Sequence, residues 1–126
     1  MAIQLAEAAI AAMNAGVHAL GYWTYMDFPE KWNESYRNKW GTFKCDDGDF
    51  ATRDIYYGFG LLTKFFRGPA TVHGVTVSDP RLRVAAVHHA DGAWSVAMVN
   101  RNRGGVSIDL AIDGAPLDAR FRKYVY

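Results

Sequence analysis

The spacing of hydrophobic residues changes once along this chain, near Gly68 and Pro69, and that change constrains the fold more than any other feature. Before this point apolar residues recur at steps of three and four, which is the period of a helix. After it they alternate with polar residues, which is the period of a half-buried strand. The sequence therefore predicts an α+β protein in two parts, residues 1–68 and residues 69–126.

The first part carries two helical patterns separated by extended and irregular segments. Residues 2–15 place their aliphatic side chains on one stripe, and Gly16 follows where a helix commonly ends. Residues 53–67 are apolar on two sides, so we expect that helix to have packing partners on both. Residues 18–26 predict a short buried strand. Residues 28–52 predict a long aromatic loop, a length that is typical of functional loops.

The second part carries the alternation of antiparallel strands. Apolar and polar residues alternate over residues 82–86, 94–98 and 106–112, and residues 121–126 begin a further strand at which the chain stops. Asp-Gly pairs at 91–92 and 113–114 are turn signals. The alternation over 106–112 is the cleanest, so one face of that strand is expected to be buried and the other wet. We therefore expect an incomplete antiparallel β-sandwich after the helices.

Composition excludes several classes of function. Fourteen Lys and Arg balance thirteen Asp and Glu in 126 residues, and phosphate-rich partners need a concentrated basic field, so neither nucleic acid nor an anionic membrane is expected as a partner. No apolar run approaches the roughly 20 residues that span a bilayer. The single Cys45 excludes an internal disulfide framework and a cysteine-based zinc cluster. No secretory signal pattern begins the chain, which points to the cytoplasm if this is the whole protein, and otherwise leaves its location unknown.

Three stretches occur in an informative order: GYWTYMDF at 21–28, KWGTF at 39–43 and IYYGFGLLTKFFRG at 55–68. Together they resemble the C-terminal end of the clan A glycoside hydrolases, in which an eight-stranded βα barrel is followed by a β-sandwich. The resemblance covers residues 1–70. The later strands resemble the family only in their topology. It implies that residues 2–15 are the seventh barrel helix and residues 18–26 the eighth strand.

The resemblance also implies which chemistry is missing. The two catalytic glutamates of the family end the fourth and seventh strands, and both would precede residue 1. We therefore expect the C-terminal piece of a retaining β-glycosidase that has no activity alone and needs no cofactor. The alternative is a carbohydrate-binding or self-associating β module. An isolated βα unit exposes a strand edge and apolar helix faces, which predicts a homo-oligomer.

Candidate sugar-contacting residues follow from the same resemblance. Trp23 would lie at the barrel rim, where its indole either stacks on a sugar ring or fills the core. Tyr25 points the same way two residues later, whereas the residues on either side of Trp23 point to the helices. Asp27 either binds a sugar hydroxyl or, the favoured role, satisfies local backbone groups. Trp32 and Trp40 either wall the cleft or, the favoured role, anchor the loop.

Other side chains suggest chemistry less strongly. Glu30 and Glu34 form a possible carboxylate pair for glycosidic cleavage, but their loop is polar and charged. The acidic residues of 46–49 resemble a calcium loop, but their spacing departs from the liganding series. His88 and His89 are adjacent on a predicted strand, so they face opposite sides and cannot readily share an ion. No metal site and no catalytic residue is predicted.

Overall fold

The protein is represented by a computed structural model, which describes residues 2–27, 40–44, 50–114 and 120–126. Two helices precede three strands: α1 (Ala2–Asn14), α2 (Asp54–Phe65), β1 (Ala70–His73), β2 (Leu82–His89) and β3 (Trp94–Asn100). The strands form one open sheet in the order β1-β2-β3, and both pairs are antiparallel. The predicted α+β class and the order of helices before strands are confirmed. The boundary proposed after residue 68 falls between α2 and β1.

Helix α1 ends as its sequence predicts. Gly16 has φ +79°, a left-handed conformation that favours glycine. Its N–H donates to the Met13 carbonyl at 3.0 Å, and the next N–H, of Val17, donates to the Ala12 carbonyl at 3.0 Å. The buried stripe of α1 contains Ala9 and Ile10, and α1 contacts α2 and all three strands. This helix therefore lies at the centre of the packing.

The β2–β3 hairpin also follows its sequence signal. Gly92 has φ +85°, and the His89 N–H donates to the Ala93 carbonyl at 2.8 Å. The Asp91 side chain accepts a hydrogen bond from the Ala93 N–H at 3.0 Å, which closes the turn. Strand β2 is the central strand, its residues 84–87 are all buried, and α1 packs on it.

Two polar contacts attach α1 to the sheet. The Arg101 N–H donates to the Arg81 carbonyl. In this register the backbone N–H and C=O groups of the odd-numbered residues of β2 hydrogen-bond to β3, and those of the even-numbered residues point toward β1. Val84 is even-numbered and lies beyond the end of β1, where the Asn14 side-chain amide donates to its carbonyl at 2.9 Å. In the middle of the helix, Glu7 forms an ion pair at 3.2 Å with Arg101, which directly follows β3. The Asn14 side chain at the end of α1 thus donates the hydrogen bond that a neighbouring strand would otherwise supply to the Val84 carbonyl.

The strand predicted over residues 18–26 is wrong except at its end. Only Met26 takes part in a bridge, which it makes with Phe43, and residues 17–21 are exposed. An extended segment becomes a stable strand only when neighbours flank it. In this chain neighbouring backbone flanks residues 24–27, and the earlier part of the segment has no paired strand among the described residues.

Two predicted strands of the second part are wrong as well. No described residue of 106–112 belongs to a strand, and the side chains of Val106, Ile108 and Leu110 are 38%, 43% and 47% exposed. Residues 121–126 form no strand either, and instead the Tyr124 ring lies 4.7 Å from that of Phe65 on α2. The described residues contain one open sheet rather than the two layers of a sandwich, so the alternation over 106–112 has no second sheet to cover it.

Candidate functional site

Three extended segments, residues 24–27, 41–44 and 51–53, lie side by side and are called here the three-segment ladder. Met26 bridges to Phe43 in parallel, and Phe43 bridges to Thr52 in antiparallel fashion. The Asp27 N–H donates to the Phe43 carbonyl at 3.1 Å, and the Lys44 N–H donates to the Ala51 carbonyl at 2.9 Å. The middle segment therefore joins the two ends of the region predicted to be a long aromatic loop.

The Asp27 carboxylate ties the three segments together. Its side chain is almost fully buried; Oδ1 accepts a hydrogen bond from the Gly41 N–H at 2.7 Å, and Oδ2 pairs with the Arg53 guanidinium. The Arg53 N–H in turn donates to the Thr42 carbonyl at 2.9 Å. A buried charge is tolerated when an opposite charge and hydrogen bonds compensate its lost hydration. The Asp27 side chain thus serves the local packing of the ladder.

Gly41 is required by the close approach of two of these segments. A Cβ atom at Gly41 would lie 2.5 Å from the Met26 carbonyl carbon and 2.7 Å from the Phe43 oxygen, and closer still to the Asp27 nitrogen. Side-chain carbons do not approach backbone atoms this closely, so only glycine fits without a shift of the backbone. The Trp-Gly pair at 40–41 therefore has a steric reason.

Aromatic side chains project from the outer side of the ladder. Trp23 and Tyr25 are 75% and 70% exposed, whereas Thr24 between them is buried. Tyr22 is half-buried with its ring 5.9 Å from that of Phe59 on α2, so the predicted alternation over 22–25 is confirmed. The peptide bond between Trp23 and Thr24 is cis.

Trp40 belongs to the same region. Its side chain is 60% exposed, and its carbonyl accepts the hydrogen bond of the Tyr22 hydroxyl. Because Trp40 directly precedes Gly41, the contact between Gly41 and Asp27 also places Trp40 beside the end of the first segment. The structure therefore brings Trp40 into one region with Trp23, Tyr25 and Asp27, from which the sequence separates it.

A row of aromatic rings begins at Tyr25. The ring of Tyr25 lies 4.9 Å from that of Phe43, which lies 5.0 Å from that of Tyr56. Tyr56 contacts Tyr57 at 5.3 Å, and the Tyr57 hydroxyl accepts a hydrogen bond from Thr52 Oγ1 at 3.0 Å. Aromatic pairs at such distances add about 0.5–1.5 kcal/mol each beyond their burial. The row thus joins Tyr25 to helix α2.

The electrostatic environment of the ladder acts on Tyr22. Burial raises the pKa of its hydroxyl above the ordinary 10.0; the positive charge of Arg53 opposes this rise, and the negative charge of Asp27 adds to it. Tyr22 is therefore protonated at neutral pH and can donate to the Trp40 carbonyl. Within the described residues, the buried Nε of Arg53 has no hydrogen-bond partner.

The predicted site residue Trp32 lies outside the described residues, and so do Glu30, Glu34, Cys45 and the acidic residues of 46–49, which were considered but not predicted to form a site. The opposite orientation of the paired histidines is confirmed, because His88 stacks on Trp94 at 4.6 Å whereas His89 hydrogen-bonds to Ser95 at 2.9 Å. Across the described ranges, no group of three or more His, Cys, Asp or Glu side chains is placed to hold a metal ion.

Sequence reasoning missed the two residues that hold the ladder together. Arg53 was included only as the first residue of a helix, and its pairing with Asp27 spans 26 positions that no periodic pattern connects. Gly41 was noticed as part of a Trp-Gly pair, but its contact with Asp27 spans 14 positions. In the sequence, each of these two residues is marked only as an isolated glycine or arginine beside apolar residues.

No protein-family model, no curated protein and no solved structure matches this chain. In the ranges that the structure describes, neither helix is long and apolar enough to cross a bilayer. The geometry of the ladder and its aromatic side chains is therefore the basis for assigning a function.

Proposed function

We propose that this chain forms the sugar-contacting end of a clan A-type glycoside hydrolase and that, by itself, it binds carbohydrate without cleaving it. The observation that carries the proposal is the exposure of Trp23 and Tyr25 on one side of a backbone held by the buried Asp27. Flat aromatic rings match the apolar C–H faces of sugar rings, and binding sites are enriched in such side chains.

Two backbone hydrogen bonds hold the residues that directly follow Trp23. The Thr42 N–H donates to the Thr24 carbonyl at 3.2 Å, and the Phe43 N–H donates to the Tyr25 carbonyl at 3.1 Å. Rings on a fixed backbone lose little conformational freedom when a ligand binds, so more of the contact energy remains as affinity. A rigid, open aromatic surface suits an extended oligosaccharide better than an enclosed small molecule.

Binding without cleavage follows from the chemistry of the ladder. Retaining glycosidases use two carboxyl groups about 5–5.5 Å apart. Asp27 is the carboxylate within the ladder, and both of its oxygens are engaged, by Gly41 and by Arg53. In the proposed function the catalytic carboxylates come from earlier barrel strands, and this chain supplies one wall of the sugar site.

Binding can be tested by saturation-transfer NMR with cellotetraose and xylotetraose, and with isomaltotetraose as an α-linked comparison. We expect saturable binding of a β-linked ligand, and at least a tenfold loss of affinity in Trp23→Ala because its indole is the main stacking surface. Trp94→Phe is the matched control, since Trp94 lies on β3, and it should bind as the wild type does. Unchanged binding in Trp23→Ala, or no binding by the folded wild type, would contradict the proposal.

The absence of cleavage is tested separately with p-nitrophenyl β-glycosides. We expect no turnover by the purified chain, because the ladder offers no pair of available carboxyl groups. Glu30→Gln and Glu34→Gln serve as the decisive variants. Turnover by the wild type that either variant abolishes would show that this chain is itself the enzyme.

A second candidate function is self-association, which the exposed alternation over 106–112 favours. Val106, Ile108 and Leu110 present 38–47% of their surface to solvent and are suited to pairing with another strand or sheet. We expect sedimentation velocity at micromolar concentration to give a dimer or larger species. Ile108→Lys should convert it to monomer, whereas Asp109→Lys on the polar side should not. A monomeric wild type at tens of micromolar would exclude this candidate.

A further inference from the structure

The register of the sheet brings together two histidines that are distant in the sequence. His73 on β1 is opposite Ala86, and His88 on β2 is opposite Thr71. The two histidines are therefore diagonal neighbours on one face of adjacent strands. Their ring centroids are 6.1 Å apart. The sequence offered only the adjacent pair His88 and His89, which the strand separates onto opposite faces.

The distance between the two rings suits coordination of a single ion. Imidazole nitrogens bind divalent metals at about 2.0–2.1 Å, so a ring centroid lies about 3.2 Å from the ion it binds. Two rings that face a shared ion thus have centroids up to about 6.4 Å apart. The observed 6.1 Å between His73 and His88 is within that limit. Rotation of the side chains can therefore bring both nitrogens to one ion without movement of the strands.

Trp94 contacts both rings. It is opposite His88 on β3 and stacks on that ring at 4.6 Å with an interplanar angle of 22°. It also reaches His73, whose ring lies 4.7 Å away at 53°. The indole is also close enough to report binding through its fluorescence.

His73 is accessible to ions and water, and His88 beside it is half-buried. His73 is exposed and lines a cleft of about 370 Å³ between the C-terminal end of α1 and the end of β1. Val72 and Gly74 beside it line the same cleft. Water molecules can therefore occupy the coordination positions that the two imidazoles leave open.

From this geometry we propose that His73 and His88 bind one divalent transition-metal ion, in the affinity order Cu²⁺ over Ni²⁺ and Zn²⁺. Imidazole is a preferred ligand of these ions, and affinity for a given nitrogen site peaks at Cu²⁺. Mg²⁺ and Ca²⁺ prefer oxygen ligands and are not bound. With two protein ligands the ion exchanges readily, unlike the closed four-ligand sites that zinc uses for structure.

The test is a titration of the full chain with CuCl₂, in which binding is measured by calorimetry and by tryptophan fluorescence. We expect saturable binding of one ion to the wild type and at least a tenfold loss of affinity in His73→Gln and in His88→Gln. The double variant should bind no more weakly than the weaker single variant, because one imidazole alone cannot chelate. Trp94→Phe should retain binding by calorimetry and lose most of the fluorescence quenching.

His89→Gln and His18→Gln are the matched controls, since His89 lies on the opposite face and His18 lies outside the sheet. Both should bind Cu²⁺ as the wild type does, and circular dichroism should show that every variant is folded. Wild-type affinity in His73→Gln or His88→Gln would overturn the proposal. So would the absence of saturable binding, or an equal loss of affinity in His89→Gln.

Discussion

The sheet and the three-segment ladder both pair extended backbone, but they do so by different means. In the sheet, β2 and β3 match seven residue pairs in an unbroken register. In the ladder, two isolated bridges and a few backbone hydrogen bonds join the segments, and Asp27 adds side-chain contacts with Gly41 and Arg53. The sheet distributes its stability over many similar contacts, whereas the ladder has fewer backbone contacts and depends more on Asp27, Gly41 and Arg53.

This difference separates a scaffold from a candidate binding surface. A continuous register buries its central strand, as residues 84–87 of β2 show. The ladder buries little apart from its polar contacts and leaves Trp23 and Tyr25 largely in solvent. A surface that must present aromatic rings cannot bury them to stabilise itself, so specific polar contacts take over that role. Single substitutions should therefore have larger effects in the ladder than in the sheet.

Gly41→Ala should give the largest effect. The added Cβ meets backbone atoms of Met26 and Phe43 rather than flexible side chains, so the segments must separate. We expect the free energy of unfolding in urea to fall by about 3 kcal/mol or more. Gly60→Ala on α2 is the control, because its Cβ would enter open space, and it should stabilise by about 0.5–1 kcal/mol. Equal effects of the two variants would refute the steric role of Gly41.

Asp27→Ala should follow in size. It removes the partner of Arg53 and the acceptor of the Gly41 N–H together. We expect a loss of about 2–3 kcal/mol, below the range for fully buried pairs because the Arg53 side chain retains 22% exposure. Asp27→Asn keeps an acceptor for Gly41 and should cost less.

The ion pair between Glu7 and Arg101 provides the matched comparison for Asp27. Its side chains are 24% and 52% exposed, and ion pairs exposed in this way contribute little. Glu7→Gln should therefore change the free energy of unfolding by less than about 0.5 kcal/mol. A similar loss in Glu7→Gln and Asp27→Ala would mean that the ladder is not the more sensitive region.

The same contrast explains which features the sequence predicts. The end of α1 at Gly16 and the turn at Gly92 depend on neighbours within a few residues, and both are confirmed. The alternation of exposed Trp23 and Tyr25 with buried Thr24 is also local and confirmed. These features follow from backbone geometry that a short stretch of sequence specifies alone.

Features that depend on distant partners were not predictable in this way. The alternation over 106–112 indicates that the segment suits a strand. It does not indicate whether a second sheet is present to cover the apolar side chains. The pairing of Asp27 with Arg53 and the approach of His73 to His88 arise only once the segments are placed. A pattern in one segment cannot identify its partner, so the ladder emerged from the structure alone.

Val87→Ala tests whether the stability of the sheet is distributed over many contacts. Val87 is 3% exposed on the central strand, so the variant leaves a small cavity. We expect a loss of about 2 kcal/mol by urea unfolding, without effect on carbohydrate binding. Val72→Ala on the edge strand, at 42% exposure, should cost less than half as much. A loss of carbohydrate binding in Val87→Ala would show that the two regions are coupled.

The decline in stability at alkaline pH should show the smallest of these effects. Because the pKa of Tyr22 is raised in the folded chain, mainly by burial, the folded state holds this proton more tightly than the unfolded state. Its contribution is fully present below pH 10 and is lost as pH rises through the folded pKa. Thermal unfolding of Tyr22→Phe should therefore decline less steeply than wild type above pH 10. The pKa of Tyr126 is raised too, by partial loss of hydration and by the nearby Asp54 carboxylate, so Tyr126→Phe is the needed comparison. If the decline is unchanged in Tyr22→Phe and absent in Tyr126→Phe, the titrating group lies beside α2 and the ladder does not sense alkaline pH.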